Sequence, residues 1–288
     1  MNSPVVTGFF DDATNTISYV VADPAAKVCA IIDSLLDFDQ ASGRTNSNSA
    51  DKLIAFIKDN GLKLDWIIDT HVHADHLTAA HYIQTKLGGR TAIGDQIPLI
   101  QKVFGEIFNE DRSFHTDGSQ FDHLFADGED YLVGTIAAKA IATPGHTPAC
   151  MSHLIGDGVF VGDTLFMPDF GTARCDFPGG DAGVLYDSIQ RLFELPDETR
   201  IYLCHDYKAP GRDVYTWETS IGEEKRSNIH VGNGISREAF IKMRTQRDAT
   251  LSMPTLILPS VQINMRAGDM PPAEDNGKRY IKIPIDAL

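Results

Sequence analysis

Long apolar runs are missing from this 288-residue chain, and nothing in it approaches the ~18 uninterrupted apolar residues of a membrane-spanning helix. With 42% hydrophobic residues the chain reads as a soluble globular protein, able to bury one large core or two modest ones. The opening MNSPVVTGFFDDATNTISYVV has no basic segment followed by an apolar one, so no secretory signal is expected. Cysteine is scarce: Cys29, Cys150, Cys175 and Cys204 form neither CxxC pairs nor a disulfide framework, which makes a reducing cytoplasm the simplest expected location. Basic residues are outnumbered, 25 against 40 acidic ones, for a formal charge of −15 that repels nucleic acid and anionic lipid. Any anionic ligand must therefore meet a local cluster of cations. Low-complexity tracts and fixed repeats are absent too.

What is present is an alternation of short β-type and helical runs. Residues 17–21 and 28–33 read as paired strands around a Pro-containing turn. SADKLIAFIKDNG gives a helix with Ser49 as a candidate cap and a stop at Asn60-Gly61, and Trp66-Ile67-Ile68 is short and apolar enough for a buried strand. Between the strands and that helix, SLLDFDQASGRTNSNSA reads as a surface loop. Further on we expect a strand over 137–142, a hairpin of 150–155 and 159–161 around Asp157-Gly158, a helix over 182–195 and a buried strand over 201–204. From about residue 216 the composition is helical and charged, then ends in Pro-rich strands and coils such as MPTLILPS and IKIPIDAL. The expected organisation is one domain over 1–288, with a C-terminal extension at about 216–288 packed on it.

The densest chemistry lies in DTHVHADHLTAAHYIQTKLGG, residues 69–89. His71, His73, Asp75 and His76 fall on a strand-to-helix loop, where α/β proteins place functional groups. A polar helix cap formed by Asp69 or Thr70 would explain one histidine, but so many competing polar groups in one turn are costly unless something binds them. Imidazole and carboxylate are ligands for zinc and non-haem iron, and H-x-H-x-D-H directs alternate side chains at one small volume. Three more candidate ligands follow expected strands: His146 in the rigid turn TPGHTP, Asp163 in VFVGDTLF and His205 in IYLCHDY. His81, His115, His123, His153 and His230 lie in helix, loop or hairpin contexts that suggest ordinary structural roles.

Taken in order, His71-x-His73-x-Asp75-His76, His146, Asp163 and His205 resemble the metallo-β-lactamase superfamily over roughly residues 15–210. THVHADH, TPGHTP, GDTLF and CHDY look more like its glyoxalase II and persulfide dioxygenase branch than like the antibiotic-hydrolysing lactamases. GTARCDFPGGDAGVLYDSI and INMRAG are similar to persulfide dioxygenase segments in particular. The resemblance implies an α/β fold, an αββα sandwich of two β-sheets with helices on the outer faces and a metal site at the sheet edges. It further implies an iron-dependent persulfide dioxygenase that oxidises glutathione persulfide with O2 to sulfite and glutathione. One Fe(II) per chain would be held by His71, His146 and Asp163, a facial triad with open positions.

In that reading His73 is a hydrogen-bond partner, and Asp75, His76 and His205 form a vacant second metal site. In the alternative, a binuclear-zinc hydroxyacylglutathione thioester hydrolase of the glyoxalase II kind, they are metal ligands. The metal decides the reaction, because zinc cannot supply electrons to O2 whereas Fe(II) can. For the substrate carboxylates, the cations nearest the motifs are Arg174, Arg212, Arg266 and Lys208. Arg174 is favoured because it lies in the segment that resembles the family's substrate arginine; Arg266, and the phenol of Tyr207, are further substrate-binding candidates. A homodimer is implied only at the level of the family.

Overall fold

Short runs rich in β-branched and aromatic residues set the first strands. In the computed structural model, which describes residues 3–287, β1 (Val5–Asp11), β2 (Thr16–Asp23) and β3 (Val28–Ile32) form an antiparallel meander. β4 (Leu35–Asp39) and β5 (Arg44–Asn46) follow as a small hairpin, then α1 (Asn48–Asp59) crosses over so that β6 (Lys63–Ile68) lies parallel to β3. β7 (Leu77–Thr78), α2 (Ala80–Leu87), β8 (Arg90–Gly94), α3 (Ile97–Ile107) and β9 (His123–Phe125) complete the first half, whose sheet runs β1-β2-β3-β6-β8-β9.

The second half adds β10 (Asp130–Val133), β11 (Ile136–Ala142), β12 (Met151–Ile155) and β13 (Gly158–Phe160) as an antiparallel run. α4 (Ala182–Leu192) returns the chain to β14 (Arg200–Tyr202), parallel to β13, and β15 (Glu218–Ser220) closes a second six-stranded sheet. α5 (Ile221–Ser227), α6 (Arg237–Asp248) and α7 (Ile257–Asn264) complete the elements.

Side-chain alternation builds the layers. Ile17, Tyr19 and Val21 of β2 face Ala140, Phe160 and Tyr202 of the other sheet in one core, while Val20 and Ala22 turn outward to Leu53 and Ile57 of α1. On the far side Val159 and Ile201 pack under Leu185 and Ile189 of α4 and Phe240 of α6. This is the αββα sandwich. The two sheets meet at one end, where the Ile17 amide donates to the Cys204 carbonyl at 2.7 Å and Thr16 pairs with His205. All four cysteines are buried and free of disulfides.

Four sequence expectations change. The supposed surface loop after β3 contains β4 and β5, because Leu35 and Leu36 are buried against Thr78 and Leu77 of β7 while the polar residues occupy the hairpin turn. Ser49 is no cap: it lies inside α1, with its amide and hydroxyl on Asp37, and Ser47 holds the cap position. In MPTLILPS the expected strand is helix α7, whose Pro259 falls in the first turn, where a missing N–H costs nothing. The described part of IKIPIDAL forms no strand, and Leu288 lies outside the described residues.

Candidate metal centre

β6 delivers the histidine-rich loop. Beyond Ile68 the chain leaves the sheet, and Asp33, at the end of β3 with a left-handed φ of 52°, fixes its course. Its carboxylate accepts the Thr70 amide at 2.7 Å and hydroxyl at 2.9 Å, and pairs with His73 Nε2 at 2.9 Å. From the opposite side Asn264, the last residue of α7, donates to the carbonyls of His73 and His76, both at 2.8 Å, and accepts the Thr78 amide at 2.8 Å.

The second sheet supplies the facing groups. Gly145, at φ 136°, passes so close to the backbone of Leu185 that a Cβ there would overlap it, and Gly162, at φ 51°, presses on Thr70 in the same way. These approaches seat His146 and Asp163 opposite the loop. His146 Nδ1 donates to the Arg174 carbonyl at 2.8 Å, which fixes the tautomer and leaves Nε2 with a free lone pair. That Nε2 is 3.6 Å from Asp163 Oδ2, and His71 Nε2 is 3.9 Å from the same oxygen. The other carboxylate oxygen, Oδ1, lies 3.3 Å from His205 Nε2, itself 3.2 Å from Asp75 Oδ2.

Two principal ligand groups result, His71–His146–Asp163 and His73–Asp75–His76–His205, each with its donor atoms within 4.8 Å of one another; Asp163 and His205 also group with Cys204, and His73 with Asp33 and Asp69. Burial, with the neighbouring histidines adding to it, holds His71 well below the usual imidazole range, so its ring is neutral and able to ligate. Burial also lowers His76. Burial works against protonation of His73 as well, but the adjacent Asp33 carboxylate outweighs it and raises that ring to about 9. Buried beneath them, Asp69 is pushed up to about 7. His73 Nδ1, His76 Nε2, Asp163 Oδ1 and His205 Nε2 are buried without a hydrogen-bond partner. Orphaned donors and acceptors of this kind are costly unless a cation takes them, so the set fits a divalent metal.

A cavity of about 740 Å³ opens over His146 and Asp163. Phe166, Phe170 and Tyr207 line one side, and Tyr207 stacks on His205 with ring centroids 5.6 Å apart. Arg174 lines the cavity, but its fork is filled by Asp176, with two bonds of 2.6 Å, and its remaining arm donates to the Ser252 carbonyl. The structure does not bring Arg266 here: it bonds Glu110 at 2.6 Å and lies over Phe114 on another face. Arg212 is clamped by Asp169 and Asp206, and Lys208 sits over Tyr215. Arg247, passed over in the sequence, lines the cavity and has no carboxylate partner among the described residues. Asp33, Thr70 and Asn264 were missed as well. Asp33 had a visible signal, an acid closing the apolar run VCAII, and Asn264 lay in INMRAG without an assignable task. The five histidines expected to be structural stay out of both ligand groups; His153, for example, bonds Tyr131.

The fold and the paired ligand groups define a metal-dependent α/β enzyme class. The chain belongs to the metallo-beta-lactamase superfamily, whose family model matches residues 12–205. It is 52% identical to a probable metallo-hydrolase of Burkholderia pseudomallei, over 98% of this chain and 99% of that one, and 51% identical to Glyoxylase B2 of Dictyostelium discoideum, over 93% and 92%. The human mitochondrial persulfide dioxygenase ETHE1 is 30% identical over 91% of this chain and 88% of its own. Among solved structures, ETHE1 from Myxococcus xanthus superposes with a TM-score of 0.72 at 33% identity, covering 92% of this chain and all of that one.

Proposed function

We propose that this protein is an Fe(II)-dependent persulfide dioxygenase that converts glutathione persulfide and O2 to sulfite and glutathione. The observation that carries this reading is that His71, His146 and Asp163 bring their donor atoms together without His73, whose Nε2 is bonded to Asp33. That leaves two imidazoles and one carboxylate for a first metal, the donor set of non-haem iron oxygenases. The likeness to proteins named ETHE1 supports the same reading. Iron(II) held there would supply the electrons that O2 activation needs and that zinc lacks.

The chain's own residues do the rest. His71, His146 and Asp163 would hold the metal, and the Arg174 carbonyl keeps His146 in the ligating tautomer. Arg247, charged and without an acidic partner, binds a glutathione carboxylate, while Phe166, Phe170 and Tyr207 exclude water from the persulfide sulfur. Asp33 pairs with His73 Nε2 and fixes the orientation of that ring.

One observation favours a second reading. Asp163 Oδ1 faces His205, so this carboxylate could bridge two metals in a thioester hydrolase, and the names metallo-hydrolase and Glyoxylase B2 belong to relatives above 50% identity. Metal analysis with an oxygen electrode decides between them. We expect about one iron per chain and O2 uptake with glutathione persulfide, yielding sulfite. Two tightly held metals with cleavage of S-lactoylglutathione, and no O2 uptake, would overturn the dioxygenase.

A further inference from the structure

Behind the His146 ring lies a second, much smaller chamber of about 20 Å³. Val72, Ile100, Phe104, Ile257 and Val261 wall it with hydrocarbon from the histidine loop, α3 and α7. Its remaining polar neighbours are already committed. His146 gives Nδ1 to the Arg174 carbonyl and turns Nε2 toward Asp163, and the Thr147 hydroxyl is 3.1 Å from the Cys150 sulfur. A water molecule needs several polar partners, and this lining offers at most the spare lone pair of the Thr147 hydroxyl, so the chamber stays dry although it is large enough for one. Ala74, His146 and Phe177 line both this chamber and the substrate cavity, so the two spaces adjoin at a ligand of the proposed iron.

We propose that the chamber is a binding site for a small apolar gas molecule and that it holds O2 beside the metal. An uncharged diatomic is weakly hydrated and transfers readily into a dry hydrocarbon pocket. The substrate cavity also carries charged side chains, Asp39, Asp75, Asp163, Arg244 and Arg247 among them, which the chamber lacks. Dioxygen and the persulfide thus approach from separate compartments, with Ala74, His146 and Phe177 as the shared wall. The gas site stands on geometry alone, whereas its assignment to O2 rests on the dioxygenase reading.

Two measurements test the two parts separately. Crystals pressurised with xenon should show one xenon atom among Val72, Phe104 and Val261; ordered water there, or no xenon, overturns the gas site whatever reaction the protein runs. In the iron-loaded enzyme, Val261→Phe, which fills the chamber from α7, should raise KM for O2 about threefold or more while leaving KM for glutathione persulfide and kcat at saturating O2 near wild type. Ile100→Phe fills it from α3 and should do the same, guarding against a packing defect peculiar to one variant. If both lose xenon but keep the wild-type KM for O2, the chamber is not on the O2 route. Failure of the dioxygenase reading itself would appear differently, as wild-type protein that binds xenon yet takes up no O2 with persulfide, and it would overturn the O2 assignment.

Discussion

Three arginines line the cavity, and they are not equivalent: Arg244 is buried and paired with Asp248. The guanidinium of Arg174 is spent on Asp176 and the Ser252 carbonyl, so Arg174→Ala should chiefly lower thermal stability, seen in a melting curve. Arg247 keeps its fork free of carboxylates. Arg247→Ala should reduce kcat/KM for glutathione persulfide by about tenfold to a hundredfold, the loss of one charge-assisted bond of about 1.5–3 kcal/mol, with iron content unchanged. Lysine should rescue only in part, and a small persulfide without carboxylates should be indifferent. If Arg247→Ala slows both substrates equally, it clamps no carboxylate. Among the ligands, Asp163→Ala removes the only anion of the first group and should abolish both iron binding and activity, whereas His76→Ala should keep iron and most O2 uptake. Metal loss in the His76 variant, measured by plasma emission, would indicate a coupled two-metal site.

At the scale of elements, α7 acts as a clip on the histidine loop. Asn264→Ala leaves the carbonyls of His73 and His76 and the Thr78 amide without their buried partner, which should cost about 2–4 kcal/mol in urea unfolding and loosen metal retention. Asn264→Asp keeps the acceptor for Thr78 but loses the two donated bonds, so its loss should be no smaller; a neutral outcome for either would show that the loop holds itself. This clip explains why the site was legible in the sequence only in part. The ligands could be read because several histidines and aspartates recur at the ends of apolar runs, and strand ends are local. Asn264 donates to residues 188 and 191 positions away, and no local pattern encodes such a partner. Arg174 differs in part, since Asp176 is only 2 residues on, but its remaining arm goes to the Ser252 carbonyl 78 positions away. The sandwich itself was legible from the short apolar, β-branched runs that became β2, β3 and the end of β6. The β4–β5 hairpin was not, since its polar turn outweighs the short apolar stretch that anchors it.

At the scale of the whole molecule, stability should depend on pH through α5. Glu224 is fully buried, with Oε2 accepting from Asn228 Nδ2 at 2.6 Å and Oε1 unpartnered, and burial pushes its carboxyl up to about 8. A carboxyl raised in this way favours the fold while protonated; its contribution is complete below the unfolded value near 4.5 and is lost as pH rises toward 8. Glu224→Gln, which keeps an oxygen for Asn228, should match wild type near pH 5 and exceed it by about 1–3 kcal/mol at pH 8 in urea denaturation. A difference that does not grow with pH would mean Glu224 is ionised in the native protein. The buried cysteines have a consequence of another kind. A persulfide passes its outer sulfur to any thiolate it meets, and an enzyme that concentrates persulfide would be the first protein so modified. Burial lifts the thiols of Cys29 and Cys150 to about 12 and raises Cys175 and Cys204 too, so the native chain offers a persulfide no thiolate. Sulfuration of these residues then requires the fold to open, and the sulfur they acquire over time would record how often it does.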